Sequence, residues 1–479
     1  MRDIIESALL SAKRAGATYA DVRILEREVE EISTKNGSVD ALKRSFTKGL
    51  GVRVIANGAW GFASSFRLTT DEAEKVAEEA VLIAKASSLT KIEDVSLAEV
   101  EIFQDTVHQK VEIDPFSVPI SEKISVLLES DKIMNIPGVI VRKGNMYFSK
   151  EWKTFASTEG AYIEQERIVS GAGISAIATN GKELQIRSYP SSFGGDYQRK
   201  GFELVKSADF LKNAERVAKE AVALLSAKPC PSGIMDIVLG GSQLALQVHE
   251  SAGHPTELDR VLGEEASFAG MSFLMPDKLG KFRYGSDIVN ITADATISEA
   301  LGGFAYDDEG VKAKRIYLVK NGIFVGYLNS RETAKKLKLE PMGAMRAQSW
   351  NFMPIIRMTS INLEPGDKTL DELIAGVDRG IYMDTNKSWS IDQNRLNFQF
   401  GTEIGWEIKN GKIQDMVKNP TYTGITYEFW RSCDGIANKD FWHVWGVPNC
   451  GKGEPQQVMQ VSHGVSPARF RNVKVGVLR

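Results

Sequence analysis

Cysteine is scarce in this sequence: its 479 residues include only Cys230, Cys433 and Cys450. Cysteines so far apart, few and odd in number do not suit the disulfide framework that stabilises small secreted domains. We therefore expect the thiols to be reduced. A reduced thiol is available as a ligand for a metal ion.

Long apolar runs and an excess of either charge are also missing. No run approaches the roughly 20 apolar residues that a helix needs to cross a bilayer, and charges interrupt the apolar residues at the N-terminus, which disfavours a secretory signal. The 59 basic and 62 acidic side chains nearly balance, so there is neither a broad basic surface for nucleic acid nor an acidic tail. We expect a cytoplasmic protein with no membrane contact and no direct binding of nucleic acid.

The chain is too long for one ordinary hydrophobic core, and about two or three domains are expected. Apolar residues at helical spacing predict helices near residues 4–12, 73–84, 121–133 and 207–225. Alternating apolar and polar residues between them predict strands, and Asn36-Gly37 is typical of a tight hairpin turn. The first part of the chain is therefore expected to be an antiparallel sheet flanked by helices.

Residues 226–233 mark a break in the chain. Pro229, Pro231 and Gly233 cannot continue the preceding helix, so we place a boundary between an N-terminal α+β domain, residues 1–228, and a C-terminal domain, residues 229–479. Asn321-Gly322 and Asn410-Gly411 predict hairpins in the second part. The predicted fold class is α+β: a mixed α/β domain with an antiparallel sheet, followed by a β-rich domain that carries the motif described next.

Two of the five histidines lie in residues 248–254, together with a glutamate. Imidazoles are common zinc ligands, and a glutamate beside the first one is typical of the HExxH helix of zinc peptidases, where it activates water. His249 and His254 are five positions apart, however, which on a regular α-helix places them roughly 140° apart. Either the helix widens to a π-type turn, or Gly253 ends it and His254 binds from the following loop. We favour the second arrangement because Pro255 follows.

A further ligand must come from a distant part of the chain, because catalytic zinc sites usually have three protein ligands and a water. The candidates are His443, His463, Cys433, Cys450 and the carboxylates. Cys450 is favoured because its segment, rich in proline and glycine, is expected to be a turn outside the core, and because Lys452 would favour the thiolate. His463 is a weaker candidate, either as a fourth ligand or as a partner of a ligand.

Together these residues resemble the TldD/PmbA family of metallopeptidases, also described as modulators of DNA gyrase. The run from His249 to His254, followed by Glu257 and Asp259, is similar to the HExxxH signature of the TldD branch, which the PmbA/TldE branch lacks. Further stretches resemble the family in order over nearly the whole chain: residues 60–64, 307–310, 321–322, 354–358, 363–366, 380–382, 398–403 and 449–452.

The resemblance implies that Zn²⁺ is held by His249, His254 and Cys450, with Glu250 as the general base. It also implies a peptidase that acts on short or unfolded polypeptides rather than on folded proteins. The partner would be a second copy of the chain or a PmbA/TldE-like subunit, giving a homodimer or a heterodimer. A β-rich domain could hold an extended peptide as an added strand.

The sequence does not single out the group that would stabilise a developing oxyanion. Arg346, His463 and the backbone amides around Gly451 are candidates for this contact with substrate. Two other functions fit the same residues. One is a regulatory or binding protein of the topoisomerase-modulator type, with a closed, structural four-ligand metal site; the other is a metal hydrolase that cleaves esters or small amides.

Overall fold

The computed structural model describes residues 1–476. The helices are α1 (Arg2–Ala15), α2 (Thr70–Ser87), α3 (Ile120–Met134), α4 (Glu203–Ser207), α5 (Phe210–Ser226), α6 (Gly241–Val248), α7 (Leu258–Val261), α8 (Arg331–Leu337), α9 (Leu370–Ala375) and α10 (Thr426–Arg431). The strands of the first half are β1 (Tyr19–Lys35), β2 (Ser38–Ala56), β3 (Ala59–Ser65), β4 (Gln104–Val107), β5 (Val139–Ser157), β6 (Tyr162–Thr179), β7 (Leu184–Tyr189) and β8 (Asp196–Gln198). The strands of the second half are β9 (Lys228–Pro229), β10 (Gly233–Leu239), β11 (Ile291–Asp294), β12 (Arg315–Lys320), β13 (Ile323–Phe324), β14 (Met345–Arg346), β15 (Ile355–Ile356), β16 (Ile361–Leu363), β17 (Arg379–Ile391), β18 (Asn397–Lys409), β19 (Lys412–Lys418), β20 (Thr421–Ile425), β21 (Cys433–Ile436), β22 (His443–Lys452), β23 (Gln457–Val465) and β24 (Ala468–Val475).

One mostly antiparallel sheet organises the first half. Its strands follow the order β3-β2-β1-β5-β6-β4, and β7 and β8 also pair with β6. β4 joins β6 in parallel. Asn36 and Gly37 connect β1 to β2 with φ angles of 49° and 82°, the left-handed geometry that a tight hairpin turn requires. The predicted hairpin is confirmed.

Helices with small apolar side chains pack on this sheet. α1 and α2 share a core with β1 and β2 that is formed by residues including Ala8, Ala12, Val52, Val54, Ala73, Ala77, Ala80 and Ala84. These small residues let the helices approach the sheet closely. At Gly61 of β3, for example, a Cβ atom would lie 2.1 Å from the carbonyl oxygen of Ala80 in α2. α3 and α5 cover β5 and β6 around Leu127, Phe148 and Ala218.

Five strands of the second half close into a ring. The pairings run β17-β10-β24-β20-β18, and β18 pairs with β17 to complete the circuit. β10 and β24, near the two ends of this half of the sequence, are therefore adjacent antiparallel strands. Their side chains enter a large core that includes Ile237, Ile381, Phe400 and Phe470. α6 follows β10 directly and leads into the histidine motif.

Ion pairs with buried carboxylates join the two halves. Arg23 and Lys153, from the first half, lie 3.2 Å and 2.7 Å from the carboxylate oxygens of Asp308 in the second. Arg53 contacts Glu309 at 3.3 Å in the same way. Because leaving any of these charges buried without its partner is costly, the contacts fix how the halves meet.

The α+β class predicted from the sequence is confirmed. Asn321-Gly322 joins β12 to β13, and Asn410-Gly411 joins β18 to β19, as predicted. The division of the chain after residue 228 stays a prediction. Within residues 1–476, no helix combines the length and the apolar character that crossing a membrane requires.

Candidate metal centre

The histidine motif lies at the end of α6. The helix runs on from Gly241–Val248 into a π-helical turn, His249–Gly253, and then into a 3₁₀ turn, His254–Thr256. Gly253 keeps a right-handed φ of −66° and ψ of −70°, so the expectation that Gly253 ends the helix is wrong. The wider π turn returns the fifth position to the same side of the helix. The imidazole rings of His249 and His254 consequently lie 4.9 Å apart, centroid to centroid.

Groups from other elements support the π turn. The Tyr284 hydroxyl donates to the Ser251 carbonyl at 2.8 Å, and the Thr256 hydroxyl donates to the Gly253 carbonyl at 2.9 Å. Gly253 itself packs closely on Met358: a Cβ atom at position 253 would lie only 2.1 Å from the Met358 sulfur. The turn therefore depends on side chains distant in sequence and on a residue without a side chain.

Cys450 reaches the same place from the other end of this half. It lies in β22, paired with Met459 of β23, and only 5% of its surface is exposed, so the expectation of an open turn outside the core is wrong. Its sulfur is 3.6 Å from Nε2 of His254. One ligand atom from each of His249, His254 and Cys450 lies within 4.8 Å of the other two. The structure thus brings the three expected ligands together.

His463 lies behind His249, where it orients the imidazole. Nδ1 of His463 is 3.0 Å from the Ile361 carbonyl oxygen, which can only accept, so this nitrogen carries a proton. Nε2 of His463 is 2.8 Å from Nδ1 of His249. Neutral His463 accepts at Nε2, so His249 donates from Nδ1 and directs its other nitrogen, Nε2, towards the cluster.

Glu257 orients the second imidazole in a similar way. Its Oε2 atom is 2.8 Å from Nδ1 of His254 and 3.5 Å from the ammonium of Lys452. The ammonium also contacts Asp259 at 2.7 Å. The expectation that Lys452 favours the thiolate of Cys450 is wrong, because these carboxylates match its charge.

Basic side chains surround the thiol of Cys450. Burial acts to raise the pKa of Cys450, but His249, Arg357 and His254 outweigh it and hold that pKa well below the usual value. Burial acts to lower the pKa of His249, whereas Cys450 raises it. Burial holds the pKa of His254 well below its usual value. Metals bind thiolates and neutral imidazoles, so the lowered pKa values of Cys450 and His254 favour the forms that bind a metal.

An open cavity of about 400 Å³ reaches the cluster. Its walls include the three residues of the cluster, Glu250 and, from other elements, Phe193, Trp389 and Arg395. Glu250 accepts a hydrogen bond at Oε2 from Nη1 of Arg395. A carboxylate thus faces the cavity directly beside the candidate metal ligands.

The candidates for contact with the substrate differ in whether they line this cavity. Nη1 and Nη2 of Arg346 donate to the carbonyl oxygens of Met358 and Gln460 at 2.8 Å and 2.9 Å. Arg346 and His463 are not among the residues of the described chain that line the cavity, whereas Gly451 is. The first two are therefore poorly placed to contact a substrate there.

Sequence reasoning missed Arg395 and the role of Glu257. Glu257 is three residues from His254, a spacing that could have suggested the contact. Arg395 is 145 positions from Glu250 in a segment without a recognisable motif. No signal in the sequence pointed to it.

Two imidazoles and a thiol grouped around one point, with a carboxylate in an adjoining cavity, are the parts of a metal-dependent hydrolase. Three family models match in order: PmbA/TldA metallopeptidase domain 1 at residues 20–84, the central domain at residues 113–226 and the C-terminal domain at residues 232–477. The chain belongs to the PmbA/TldD family of metallopeptidases.

Curated relatives match over nearly their whole length. A metalloprotease of Methanothermobacter thermautotrophicus is 32% identical, covering 96% of this chain and 95% of the relative. A metalloprotease of Methanocaldococcus jannaschii is 31% identical, covering 91% and 92%. A protein of Saccharolobus solfataricus named as a zinc metalloprotease TldD homolog is 24% identical, covering 97% and 98%.

Solved structures share the fold. A protein from Thermotoga maritima described as a modulator of a DNA gyrase superposes with a TM-score of 0.79 at 19% identity, covering 99% of this chain and 100% of the other. TldE from Thermococcus kodakarensis superposes with a TM-score of 0.75 at 17% identity, also covering 99% and 100%. At these identities the likeness concerns the fold alone.

Proposed function

We propose that this metallopeptidase is a zinc enzyme that hydrolyses peptide bonds in short or unfolded polypeptides, with His249, His254 and Cys450 as the metal ligands. The observation that carries the proposal is the group of three ligand atoms within 4.8 Å of one another. The donor chemistry fits zinc, which binds imidazole nitrogen and thiolate sulfur. The relative named as a zinc metalloprotease supports the same ion.

The arrangement favours a catalytic rather than a structural ion. Three protein ligands leave a fourth position open, as catalytic zinc sites require, and the cavity reaches it. His463, the expected fourth ligand of a closed site, instead uses Nε2 to contact His249 at 2.8 Å. When bound, zinc supplies Lewis acidity that activates water and polarises a carbonyl group.

Glu250 carries the protons in the proposed reaction. Its carboxylate takes a proton from the attacking water as the water oxygen bonds to the carbonyl carbon, and the carbonyl π electrons move to the carbonyl oxygen. When the C–N bond breaks, Glu250 returns the proton to the leaving nitrogen. One carboxylate serves both transfers, and the products are a carboxylic acid and an amine.

The edge of β17 is suited to an extended peptide. β10 pairs with β17 at residues 380–383, and within the described chain no strand continues along that edge up to Ile391. Trp389, Ser390 and Ile391 line the cavity beside the cluster. We propose that a polypeptide lies here as an added strand, held through its main chain with little dependence on sequence.

We further propose a cytoplasmic enzyme that works as a dimer, with itself or with a TldE-like subunit. The unpaired thiols of Cys230, Cys433 and Cys450 suit a reducing compartment. The fold shared with TldE supports a partner of that type. Light scattering on the purified chain, alone and with a TldE-like protein, should detect a dimer; a monomer in both samples would contradict this.

The main test is cleavage of an unstructured polypeptide, followed by mass spectrometry, with and without a chelator. We expect fragments that a chelator abolishes and that added zinc restores. Glu250→Gln should keep zinc, measured by elemental analysis, and lower turnover at least about 100-fold because the proton acceptor is lost.

Glu407→Gln, a change of the same kind away from the cavity, is the matched control and should cleave normally. Undiminished hydrolysis by Glu250→Gln at unchanged zinc content would show that another group is the base. Cleavage insensitive to chelators would refute the metal mechanism.

A further inference from the structure

Arg395 is the one lysine or arginine among the described residues that line the cavity beside the cluster. Nη1 donates to Glu250. Nε is buried and has no hydrogen-bond partner. A guanidinium has five N–H donors in a planar fork, so most of the donor capacity of Arg395 remains free next to the candidate metal ligands.

The backbone around Arg395 is built to present this side chain. Arg395 has a left-handed φ of 61°, its N–H donates to the Asp392 carbonyl at 2.9 Å and its carbonyl accepts from the Thr426 hydroxyl at 2.8 Å. The Asp392 carboxylate accepts from the backbone N–H groups of Leu396 and Asn397 at 2.8 Å and 3.0 Å. A fixed turn, rather than a flexible loop, therefore places the guanidinium.

We propose that Arg395 is a catalytic residue that stabilises the oxyanion of the scissile peptide bond, an inference that rests on the proposed function. During water attack, negative charge leaves the Glu250 carboxylate, which gains a proton, and appears on the former carbonyl oxygen. Arg395 faces the cavity and already contacts Glu250. Its guanidinium is therefore close to the negative charge both when that charge is on the Glu250 carboxylate and when it is on the carbonyl oxygen of the substrate. A donor that is already in place needs no rearrangement during the reaction, and such a donor contributes strongly to the rate.

Two of the earlier candidates are poorly placed for this role, whereas the backbone amides around Gly451, which lines the cavity, are compatible with a contribution beside Arg395. The free donors of Arg346 are directed to two carbonyl groups of the protein, and His463 is fully buried behind His249. Arg395 combines charge, unused donors and a place on the cavity wall. An arginine that only held Glu250 in place would need a single N–H group for that contact, whereas Arg395 has further N–H groups without a partner.

The test compares the zinc-loaded chain with Arg395→Ala and Arg395→Lys, and with Arg283→Ala as a control for removal of an exposed arginine. We expect Arg395→Ala to lower kcat about 100-fold, the loss typical of removing one oxyanion donor, with KM and zinc content nearly unchanged. Arg395→Lys should recover part of the rate, because a lysine keeps the positive charge but lacks the planar set of N–H donors of a guanidinium. The control should match the unaltered chain.

A second measurement does not depend on turnover. Calorimetry should show that Arg395→Ala binds a phosphonate peptide, an anionic mimic of the tetrahedral state, about 100-fold more weakly, while an uncleaved neutral peptide of the same length binds as before. Equal losses for both peptides, an unchanged kcat, or a loss of zinc would each overturn the assignment. An unaltered chain that cleaves nothing would instead refute the proposed function, so the two failures are distinguishable.

Discussion

Cys450 is the proposed ligand that most clearly separates this centre from a site built of histidines and carboxylates. Cys450→Ser exchanges a thiolate for a hydroxyl that is not ionised near neutral pH, so we expect zinc content after dialysis to fall severalfold, measured by elemental analysis. Cys433→Ser is the matched control, because burial raises the pKa of the Cys433 thiol to about 12. Full zinc occupancy in Cys450→Ser would exclude the thiol as a ligand.

His463 is expected to act on the metal through His249. His463→Gln removes the aligned acceptor for Nδ1 of His249, and loss of such a partner commonly weakens metal binding about 10–100-fold. Competition with a chromophoric zinc chelator measures the affinity. His443→Gln provides the control, since His443 is a half-exposed histidine that contacts Asp196 at 2.7 Å. Equal zinc affinity in the two variants would remove His463 from the site.

How far residues could be assigned from sequence depended on their separation. His249, Glu250 and His254 form a local pattern whose chemistry is readable without a structure. Cys450 was one candidate among several, because a separation of 196 positions from His254 in the sequence says nothing about the distance between them in the fold. Arg395 could not be found at all, since a lone arginine in a polar turn is usually a solvated surface residue.

At the scale of elements, the continuation of α6 shows what a helical pattern leaves undecided. Gly253-His254-Pro255 is typical of a helix end, yet the chain keeps helical angles through His254. The π turn is stabilised by contacts with Tyr284 and Met358, which no local pattern contains. Local propensity was overridden by packing from distant segments.

Gly253→Ala tests this packing. The added Cβ would meet the Met358 sulfur at 2.1 Å, and overpacking of this kind costs about 1–3 kcal/mol. We expect a lower free energy of unfolding in urea and weaker zinc binding, because the displaced turn carries both histidines. In a Met358→Ala background the additional cost of Gly253→Ala should shrink; purely additive effects would contradict the proposed clash.

At the scale of the whole molecule, the α+β class was predicted from the spacing of apolar residues and from the Asn-Gly pairs typical of tight turns, and it was confirmed. The ring of strands in the second half was not predictable, because β10 pairs with β17 and with β24 across long intervals of sequence. The division after residue 228 is a prediction that limited proteolysis can test. Early cleavage within residues 226–233 would support it, and early cleavage only elsewhere would contradict it.

Asp308 connects the halves and should make the protein sensitive to acid. Burial acts to raise its pKa, but Lys153 and Arg23 outweigh it and hold the pKa well below the usual value. A carboxyl group with a lowered pKa in the folded state contributes stability above its unfolded pKa of about 4, and this contribution is lost as the pH falls below that value.

Asp308→Asn should therefore destabilise the protein by about 3–5 kcal/mol at neutral pH, since the buried Arg23 and the partly buried Lys153 lose their partner. The difference in unfolding free energy from the unaltered chain should narrow as the pH is lowered from about 5 to 3. Asp415→Asn, at an exposed position, is the control and should have little effect. A difference that stays constant with pH would show that the ion pairs are not its source.

β10 and β24 are adjacent strands although they come from early and late positions in this half of the chain. The same arrangement affects when the metal centre can form during biosynthesis. His249 emerges from the ribosome long before Cys450, because 201 positions separate the two residues in the sequence. A nascent or truncated polypeptide therefore has both imidazoles but no complete centre. Assembly of the proposed metal centre therefore has to wait until synthesis has passed Cys450.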